Sequence, residues 1–400
     1  MVTAQRHRRT FLPFLAAFLV AATSHLAAQT EVPKSPTLPG VDGAPFPYVQ
    51  AEELSLSREL LTNLSDTVEA WVGNGLVVGA EILLIKDRKV VLHEAMGWSD
   101  RGEDVPLERN SIYRIRSMTK PFTGTSIMLL AEEGALQLDD PVSRFLPSWR
   151  NPRSGEITIR QLLSHSGGFV QGGFPGPFQL YSDLRAAVDA VGEAGPQNQP
   201  GDHYEYSDVG SATLGAIVAE VSGMPVEEFI ESRILEVVGL HDTHTAYATD
   251  AAWAGRMNPT YNRLSSEADW NQYWHPSQDQ QFPFFRASGG LYTTVFDYAR
   301  WLHLWMDRGV SAEVRLVSDE TVTAALQPVA TRGYGLHWEI FSPLPEDGTL
   351  PAFGHGGSDG TLAVAMPELD ATALLFTQSR GNGVLRRFIP LAREALTPVG

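Results

Sequence analysis

The chain reads Ser117-Met118-Thr119-Lys120 directly after the strand-like stretch Ile112 to Ile115. On a helix, residues three apart share a face, with Cβ atoms roughly 5–6 Å apart, so the Lys120 amine can reach the Ser117 hydroxyl. A serine hydroxyl is a poor nucleophile unless a base takes its proton, and a helix N-terminus favours the negative charge that then develops. The motif predicts Ser117 as a nucleophile with Lys120 as its activating partner. The alternative is coincidence, in which Ser117 caps the helix and Lys120 is solvated.

A second motif, Tyr206-Ser207-Asp208, leads into a helical pattern from Val209 to Val221. A nearby lysine ammonium lowers the pKa of a tyrosine from its usual value of about 10, so Tyr206 could be the base that a serine–lysine site needs. Taken alone, the motif also fits an ordinary helix start, with Ser207 or Asp208 as the N-cap and Tyr206 packed in the core.

A third motif, Gly354-His355-Gly356-Gly357-Ser358-Asp359-Gly360, precedes the strand-like stretch Leu362 to Met366. Glycines beside a strand let a substrate approach the backbone, where an N–H can stabilise an oxyanion. The alternative is a glycine-rich hairpin loop. The same residues match G-x-S-x-G, the nucleophile elbow of α/β-hydrolases, but no histidine follows Ser358 and a strand rather than a helix comes after it. Ser358 is therefore predicted to contribute its backbone rather than to act as a nucleophile.

Six elements in this order resemble the serine β-lactamase-like superfamily, which includes class C β-lactamases, D-alanyl-D-alanine carboxypeptidases and family VIII carboxylesterases. The resemblance extends over most of the chain and is carried by Ser117-Met118-Thr119-Lys120, the stretch Thr158 to Gly168, Tyr206-Ser207-Asp208, Ala287-Ser288-Gly289-Gly290-Leu291, Tyr334-Gly335-Leu336-His337-Trp338 and His355-Gly356-Gly357.

The resemblance implies that Ser117 is acylated and that Lys120 and Tyr206 share its activation. It also implies an oxyanion hole made of the backbone N–H groups of Ser117 and Ser358, with Gly356-Gly357 allowing the close approach. It implies no metal and no cofactor.

Two positions depart from the family pattern. Asp208 replaces the asparagine that contacts the lysine and the substrate, and its negative charge favours a protonated Lys120 while opposing a Tyr206 phenolate. His355-Gly356-Gly357 replaces Lys-Thr-Gly, which the family uses to hold a substrate carboxylate, so esters are favoured as substrates. A protonated His355 would still be able to bind a carboxylate.

The composition narrows the functions further. The 400 residues carry 30 Lys plus Arg against 47 Asp plus Glu, a net charge of −17, so the basic surface that nucleic-acid binding requires is missing. The chain has no cysteine, which excludes disulfides, a thiol nucleophile and a cysteine zinc site. The pair His241 and His244 lacks a third ligand nearby, and a metal site there is not expected.

The N-terminus has the pattern of an export signal. Arg6, Arg8 and Arg9 precede an apolar run from Phe11 to Ala22 and a small-residue cleavage region ending at Ala28. The run is too short to span a bilayer. The stretch Arg8 to Leu12 resembles the bacterial twin-arginine signal, although Sec export is also compatible. We expect a periplasmic or secreted protein without a membrane span after cleavage.

Periodicity predicts an α+β fold, with an antiparallel sheet flanked by helices and built from both ends of the chain around a mostly helical insert. The expected divisions are a signal over 1–28, a Pro-rich extended linker over 29–50 and one domain over 51–400. Within the domain, residues 51–116 and 320–400 would form the α/β part and residues 117–319 the helical lobe. Sheet strands are predicted at Ala80 to Ile85, Val90 to His93, Tyr334 to Ile340, Leu362 to Met366 and Ala371 to Thr377, and a closing helix at Val384 to Leu396.

The lobe is rich in aromatic residues, which would either line an apolar acyl pocket or serve as ordinary packing: Phe169, Phe174, Phe178, Tyr181, Trp270, Tyr273, Trp274, Phe282, Phe284 and Phe285. Together the motifs predict an exported serine hydrolase acting on a small-molecule ester or amide, with a carboxylesterase for small or medium-chain esters favoured. A β-lactamase or D-amino-acid-specific peptidase is the alternative enzyme. A penicillin-binding-like sensor, or a binding protein without turnover, is the alternative from another class.

Overall fold

An antiparallel sheet built from both ends of the chain is the centre of the fold. The computed structural model describes residues 31–399 except 266, 279, 281, 312–313 and 330–332, and the predicted export signal lies outside these residues. The strands are β1 Lys34–Ser35, β2 Gly79–Lys86, β3 Lys89–Asp100, β4 Val105–Pro106, β5 Tyr113–Arg114, β6 Thr260–Asn262, β7 Asn271–Trp274, β8 Tyr292–Thr293, β9 Val310–Ser311, β10 Val314–Arg315, β11 Glu339–Ile340, β12 Phe353–Gly357, β13 Thr361–Met366 and β14 Ala371–Phe376.

The main sheet has the order β1-β3-β2-β14-β13-β12-β11, with β4 on the far end of β3. Each neighbouring pair is antiparallel, and β14 joins the C-terminal strands to β2 with Ala371 opposite Lys86 and Phe376 opposite Glu81. Three smaller pairs, β5 with β8, β6 with β7 and β9 with β10, lie outside it.

The helices are α1 Arg58–Gly73, α2 Lys120–Glu132, α3 Ile159–Leu163, α4 Leu184–Ala194, α5 Asp208–Ser222, α6 Val226–Ile230, α7 Glu236–Val238, α8 Val295–Met306, α9 Asp319–Ala325 and α10 Leu385–Leu396. Ile82 and Leu84 of β2 point to a core shared with α1 and α10. Leu83 and Ile85 point to the opposite core, which contains α2, α5 and α8. The two-residue period of the strand thus places the sheet between two helical layers.

The predicted α+β architecture is confirmed, but several elements differ from the prediction. The predicted strand Val90 to His93 extends over Lys89–Asp100, and the strand Phe353–Gly357 was not predicted. Only Glu339–Ile340 of the predicted strand Tyr334 to Ile340 is a strand. Gly333 and His337 have φ values of +64° and +63°, in the left-handed region, which interrupts an extended backbone. In the predicted helical lobe, α8 packs against β13 and β14 and so belongs to the layer beneath the sheet.

The stretch 29–50 was expected to be a linker, but its described part, residues 31–50, is attached to the sheet. Lys34 and Ser35 pair with Met96 and Ala95 of β3, and the Tyr48 hydroxyl lies 2.6 Å from His93 Nδ1. The strand pairing with β3 and the side-chain contact of Tyr48 both hold the segment against the sheet. This part of the stretch is therefore an edge of the domain rather than a free connector.

Within the described part of the chain, no single helix is both long and apolar enough to cross a membrane; α5 with the helical segment Val226–Val238 meets that test only as a pair bent by 78°.

Candidate active site

Ser117 lies in a short 3-10 turn, Arg116–Thr119, that runs directly into α2. Lys120 is the first residue of α2, and Pro121 follows it in the first turn, where a proline costs no backbone hydrogen bond. Lys120 Nζ lies 3.4 Å from Ser117 Oγ, and the Lys120 side chain has no exposed surface. The local sequence therefore places the predicted nucleophile and its partner together at a helix N-terminus.

Asp208 holds Lys120 from the opposite side. Its Oδ1 accepts a hydrogen bond from Lys120 Nζ at 2.7 Å, and its Oδ2 accepts one from Arg286 Nη2 at 3.1 Å. The Ser288 carbonyl accepts a further bond from Lys120 Nζ at 3.2 Å. Asp208 starts α5, whose N-cap is Ser207, as the sequence suggested. Arg286, which the sequence did not single out, thus compensates the charge of the aspartate that departs from the family pattern.

These contacts shift the pKa values of both groups. Burial by itself lowers the pKa of Lys120, but the interactions with Tyr206 and with the Asp208 carboxylate outweigh it, and the pKa ends above its ordinary value. Burial raises the pKa of Asp208, but Lys120 and Arg286 outweigh that effect and the pKa ends below its ordinary value. The resting pair is therefore an ammonium and a carboxylate, in the direction predicted from sequence.

Tyr206 is stacked beside the nucleophile and the lysine. Lys120 Nζ lies 4.5 Å from the centre of the Tyr206 ring. The hydroxyl is buried close to Ser117 and Lys120, yet within the described chain it has no partner in good hydrogen-bond geometry. Burial raises its pKa, Lys120 lowers it and Asp208 raises it, and the net shift is upward. A buried hydroxyl without a settled partner, next to a nucleophile, is suited to exchanging a proton with it.

Ser358 directly follows Gly357 in the turn between β12 and β13, and Ser358 is exposed. A Cβ at Gly357 would lie 2.3 Å from the Ile115 carbonyl oxygen, so only glycine allows the strand to approach the turn that carries Ser117. The strand–turn–strand geometry differs from the strand–turn–helix of a nucleophile elbow. Ser117 and Ser358 line one cavity of about 260 Å³.

His355 and Gly356 lie in β12, just before the turn that carries Ser358, and they are not among the residues that line that cavity. The His355 side chain is 1% exposed; its Nδ1 donates to the Gly356 carbonyl at 2.7 Å, and its Nε2 accepts from the Tyr334 hydroxyl at 3.0 Å. Burial lowers the pKa of His355. Both ring nitrogens thus have internal partners, and His355 is not among the residues that line the cavity of Ser117, which argues against the expected binding of a substrate carboxylate by this side chain.

His355 belongs to a buried cluster behind Tyr206. The Tyr334 hydroxyl also contacts His165 Nε2 at 3.3 Å, and the His165 ring centre lies 4.4 Å from that of Tyr206. His337 Nδ1 donates to the Lys120 carbonyl at 2.8 Å. Burial lowers the pKa of His337 to about 3, so this cluster is neutral packing that supports Tyr206 and the start of α2.

The aromatic residues of the lobe have mixed roles. Phe282 lines the cavity beside Ser117. Phe178 lies 5.8 Å from Phe282 between ring centres, and both rings face the Arg286 guanidinium. Trp274 instead packs in a small separate core, and Phe169 and Phe285 lie in the large one. For the histidine pair, no group of metal-ligating side chains able to hold an ion is present among the described residues.

A serine–lysine pair at the start of a buried helix, facing the turn of an antiparallel sheet covered by helices on both sides, defines the class of serine β-lactamase-like proteins. The model of the Beta-lactamase family matches residues 64–396, and the chain belongs to this family.

Relatives within this class differ in what their names describe. A putative D-alanyl-D-alanine carboxypeptidase of Escherichia coli K12 is 26% identical over 355 residues, which cover 78% of this chain and 81% of the relative. The octameric penicillin-binding protein homologue from Pyrococcus abyssi superposes with a TM-score of 0.70 at 25% identity, over 84% of this chain and 77% of that one. EstCE1, a hydrolase with promiscuous acyltransferase activity, superposes with a TM-score of 0.71 at 20% identity, over 84% and 98%.

Proposed function

We propose that the chain is a serine hydrolase that forms an acyl-enzyme on Ser117 and that its substrates are carboxylic esters of small or medium-chain acids. The observation that carries the proposal is the approach of the buried Lys120 Nζ to Ser117 Oγ, at 3.4 Å, in a cavity that also exposes Ser358. Nucleophile, proton acceptor and oxyanion turn then surround one reacting carbonyl.

The pair formed by Tyr206 and Lys120 first releases one proton to solvent, and the proton of Ser117 then passes to this pair. The Asp208 carboxylate keeps Lys120 as an ammonium, and an ammonium cannot accept a proton unless it first gives one up. Tyr206 lies against the same ammonium, which stabilises a phenolate. The two groups are close enough to titrate together, so the base is the coupled pair rather than either residue alone.

Two features support esters over substrates with a carboxylate. The family's Lys-Thr-Gly strand is replaced by one whose His355 is buried and neutral, and β12 therefore offers no cation to the cavity. Phe282 gives the cavity an apolar wall beside Ser117. A larger pocket of about 470 Å³ meets the cavity at Ser358 and Arg380 and has room for an acyl chain or a leaving group.

The test is hydrolysis of p-nitrophenyl butyrate and nitrocefin, with intact-mass detection of the acyl adduct. Ser117→Ala is expected to lose at least about a thousandfold in kcat and to form no adduct. Ser358→Ala is the matched control: since only its backbone is used, it should keep its activity and its adduct. Turnover surviving in Ser117→Ala, or lost only in Ser358→Ala, would show that the nucleophile is wrong. An adduct without turnover in the wild type would favour a sensor.

A β-lactamase or D-amino-acid-specific peptidase is the second candidate, and it is favoured by the positive charge around the cavity. Among the described residues, Asp359 lies within 4 Å of the three cations Arg114, Arg116 and Arg380. The Arg380 side chain is 50% exposed where the two pockets meet, in position to receive an anionic substrate group. For this candidate, Arg380→Ala would raise KM for nitrocefin, which carries a carboxylate, but not for p-nitrophenyl butyrate.

We also propose that the protein is exported to the periplasm or beyond. The proposal rests on the basic, apolar and small-residue order of residues 1–28. Replacing Arg8 and Arg9 by lysine should retain the protein in the cytoplasm of a bacterial host if export uses the twin-arginine route. Normal export of that variant, with a processed N-terminus, would indicate Sec instead, and an unprocessed cytoplasmic wild type would refute export.

A further inference from the structure

Two segments far apart in sequence must meet for the oxyanion hole to form. Ser117 comes from the turn before α2, and Ser358 comes from the turn after β12. In the proposed reaction each residue would supply a backbone N–H, and the separation of the two donors would depend on how the two turns are held against each other. Side chains next to these two residues are therefore the ones that can set the separation of the donors.

The residue before Ser117 and the residue after Ser358 form a buried ion pair. Arg116 Nε donates to Asp359 Oδ2 at 2.7 Å, with side-chain exposures of 8% for Arg116 and 1% for Asp359. Arg116 Nη2 also donates to the Tyr273 hydroxyl at 3.4 Å. One short charge-assisted bond thus ties together the two backbone positions that flank the donors.

The backbone around this pair has little freedom to adjust. Arg116 has a φ of +48°, a left-handed conformation that a residue with a side chain rarely adopts without support. A Cβ at Gly289 would lie 3.3 Å from the Arg116 carbonyl carbon, so a second backbone packs against the same residue. With Gly357 against Ile115 on the other side, the turn lies between two close backbone contacts. The guanidinium–carboxylate bond between Arg116 and Asp359 is a side-chain contact that joins this turn to the Ser358 turn.

The charges make the pair hard to rearrange. Burial raises the pKa of Asp359, but Arg116 and Arg114 outweigh it and the pKa ends below its ordinary value. The carboxylate therefore stays ionised at neutral pH. Because both groups are buried, separating them would remove the shortest of the ion pairs that Asp359 makes with Arg114, Arg116 and Arg380.

We propose that the Arg116–Asp359 pair is a positioning clamp that sets the separation of the Ser117 and Ser358 N–H donors. The proposal rests on the proposed acylation of Ser117. Neither side chain reacts; the pair acts through the backbone groups beside it. A looser clamp would weaken the binding of the tetrahedral oxyanion more than that of the planar ground-state ester.

The test compares Asp359→Asn, which keeps the shape but loses the charge, with Asp359→Ala, which loses both. We expect kcat for p-nitrophenyl butyrate to fall about tenfold in the first and about 10²–10³-fold in the second, with KM within twofold of wild type. The affinity for an alkyl boronic acid, whose tetrahedral adduct places an oxygen in the oxyanion hole, should fall by the same factor as kcat/KM. Arg116→Lys, which retains a charge without the planar fork, should resemble Asp359→Asn.

Glu81→Gln is the matched control. Glu81 pairs with His93 at 2.8 Å with no exposed side-chain surface, in the sheet and outside the cavity. Because each of these variants disrupts a buried ion pair, we expect both the clamp variants and Glu81→Gln to lower Tm, but Glu81→Gln should leave kcat and boronic acid affinity unchanged. This comparison separates positioning from a general loss of stability.

Folded clamp variants with kcat and boronic acid affinity within twofold of wild type would overturn the clamp while leaving Ser117 as nucleophile. A loss confined to KM would overturn it as well. If Asp359→Ala does not fold, Asp359→Asn and Arg116→Lys decide the outcome. A wild type that neither turns over esters nor forms an adduct would overturn the proposed function and the clamp together.

Discussion

Replacing Asp208 by asparagine restores the family residue and removes one charge from the site. Asp208 Oδ1 lies 2.7 Å from Lys120 Nζ, and the Asp208 side chain is 23% exposed. At that distance, one pair of unit charges interacts by about 1.5 kcal/mol in bulk water and by about 6 kcal/mol at an effective dielectric constant of about 20. Asparagine keeps the shape and a hydrogen-bond acceptor, so the change is mainly electrostatic.

The Asp208 carboxylate sets the direction of the expected pH shift. The carboxylate raises the pKa of Lys120 and contributes to raising the pKa of Tyr206, so its removal lowers both pKa values. Even the bulk-water value corresponds to about one pKa unit. The remaining Arg286 cation, which Asp208 no longer neutralises, acts in the same direction on Lys120. The base is then formed at lower pH.

We therefore expect the rising limb of kcat/KM against pH to move down by at least about one unit in Asp208→Asn. The assay is p-nitrophenyl butyrate hydrolysis from pH 5 to pH 10, corrected with Ser117→Ala for spontaneous hydrolysis. Asp202→Asn, an exposed aspartate in the preceding loop, is the matched control and should leave the profile unchanged. A limb that stays within about 0.3 units of wild type, or moves to higher pH, would refute the electrostatic role of Asp208.

Two further predictions concern the oxyanion turn and the pH dependence of stability. Gly357→Ala would place a Cβ 2.3 Å from the Ile115 carbonyl oxygen and should lower kcat by about 10²–10³-fold. Gly255→Ala is the control and should leave kcat unchanged, because the space around its Cβ is open. Equal activity of the two variants would contradict the importance of the close approach at Gly357. Burial lowers the pKa of His303 to about 3. Below a pH of about 6.5, His303 therefore binds a proton in the unfolded chain but stays neutral in the folded chain. This difference lowers the free energy of unfolding by about 2 kcal/mol at pH 5. Urea unfolding at pH 7 and pH 5 measures how much the free energy of unfolding falls between the two pH values, and this fall should be smaller by about that amount in His303→Gln than in the wild type. An identical fall in both proteins would refute the role of His303.

Local spacing in the sequence was sufficient for the reactive pair. Three-residue spacing at a helix start brings Ser117 and Lys120 together whatever surrounds them, because both lie on one turn of backbone. The helix start at Ser207 or Asp208 and the strand at β2 are likewise local features, and the structure agrees with them. The strand patterns at both ends of the chain, around a mostly helical insert, then predicted a sheet built from both ends.

The charge balance of the site was decided by the tertiary structure. Arg286 reaches Asp208 and Arg116 reaches Asp359 across long stretches of chain, and no periodicity marks such pairs. For His355, the sequence left open whether the glycine-rich motif lies beside a strand or forms a hairpin loop, so it did not determine which way the side chain points. The sheet register turns it toward Tyr334, where burial keeps it neutral. Residue types and local spacing thus determined the chemistry available to this protein, while long-range packing decided which charges are compensated, since electrostatic interactions depend on distance in space rather than along the chain.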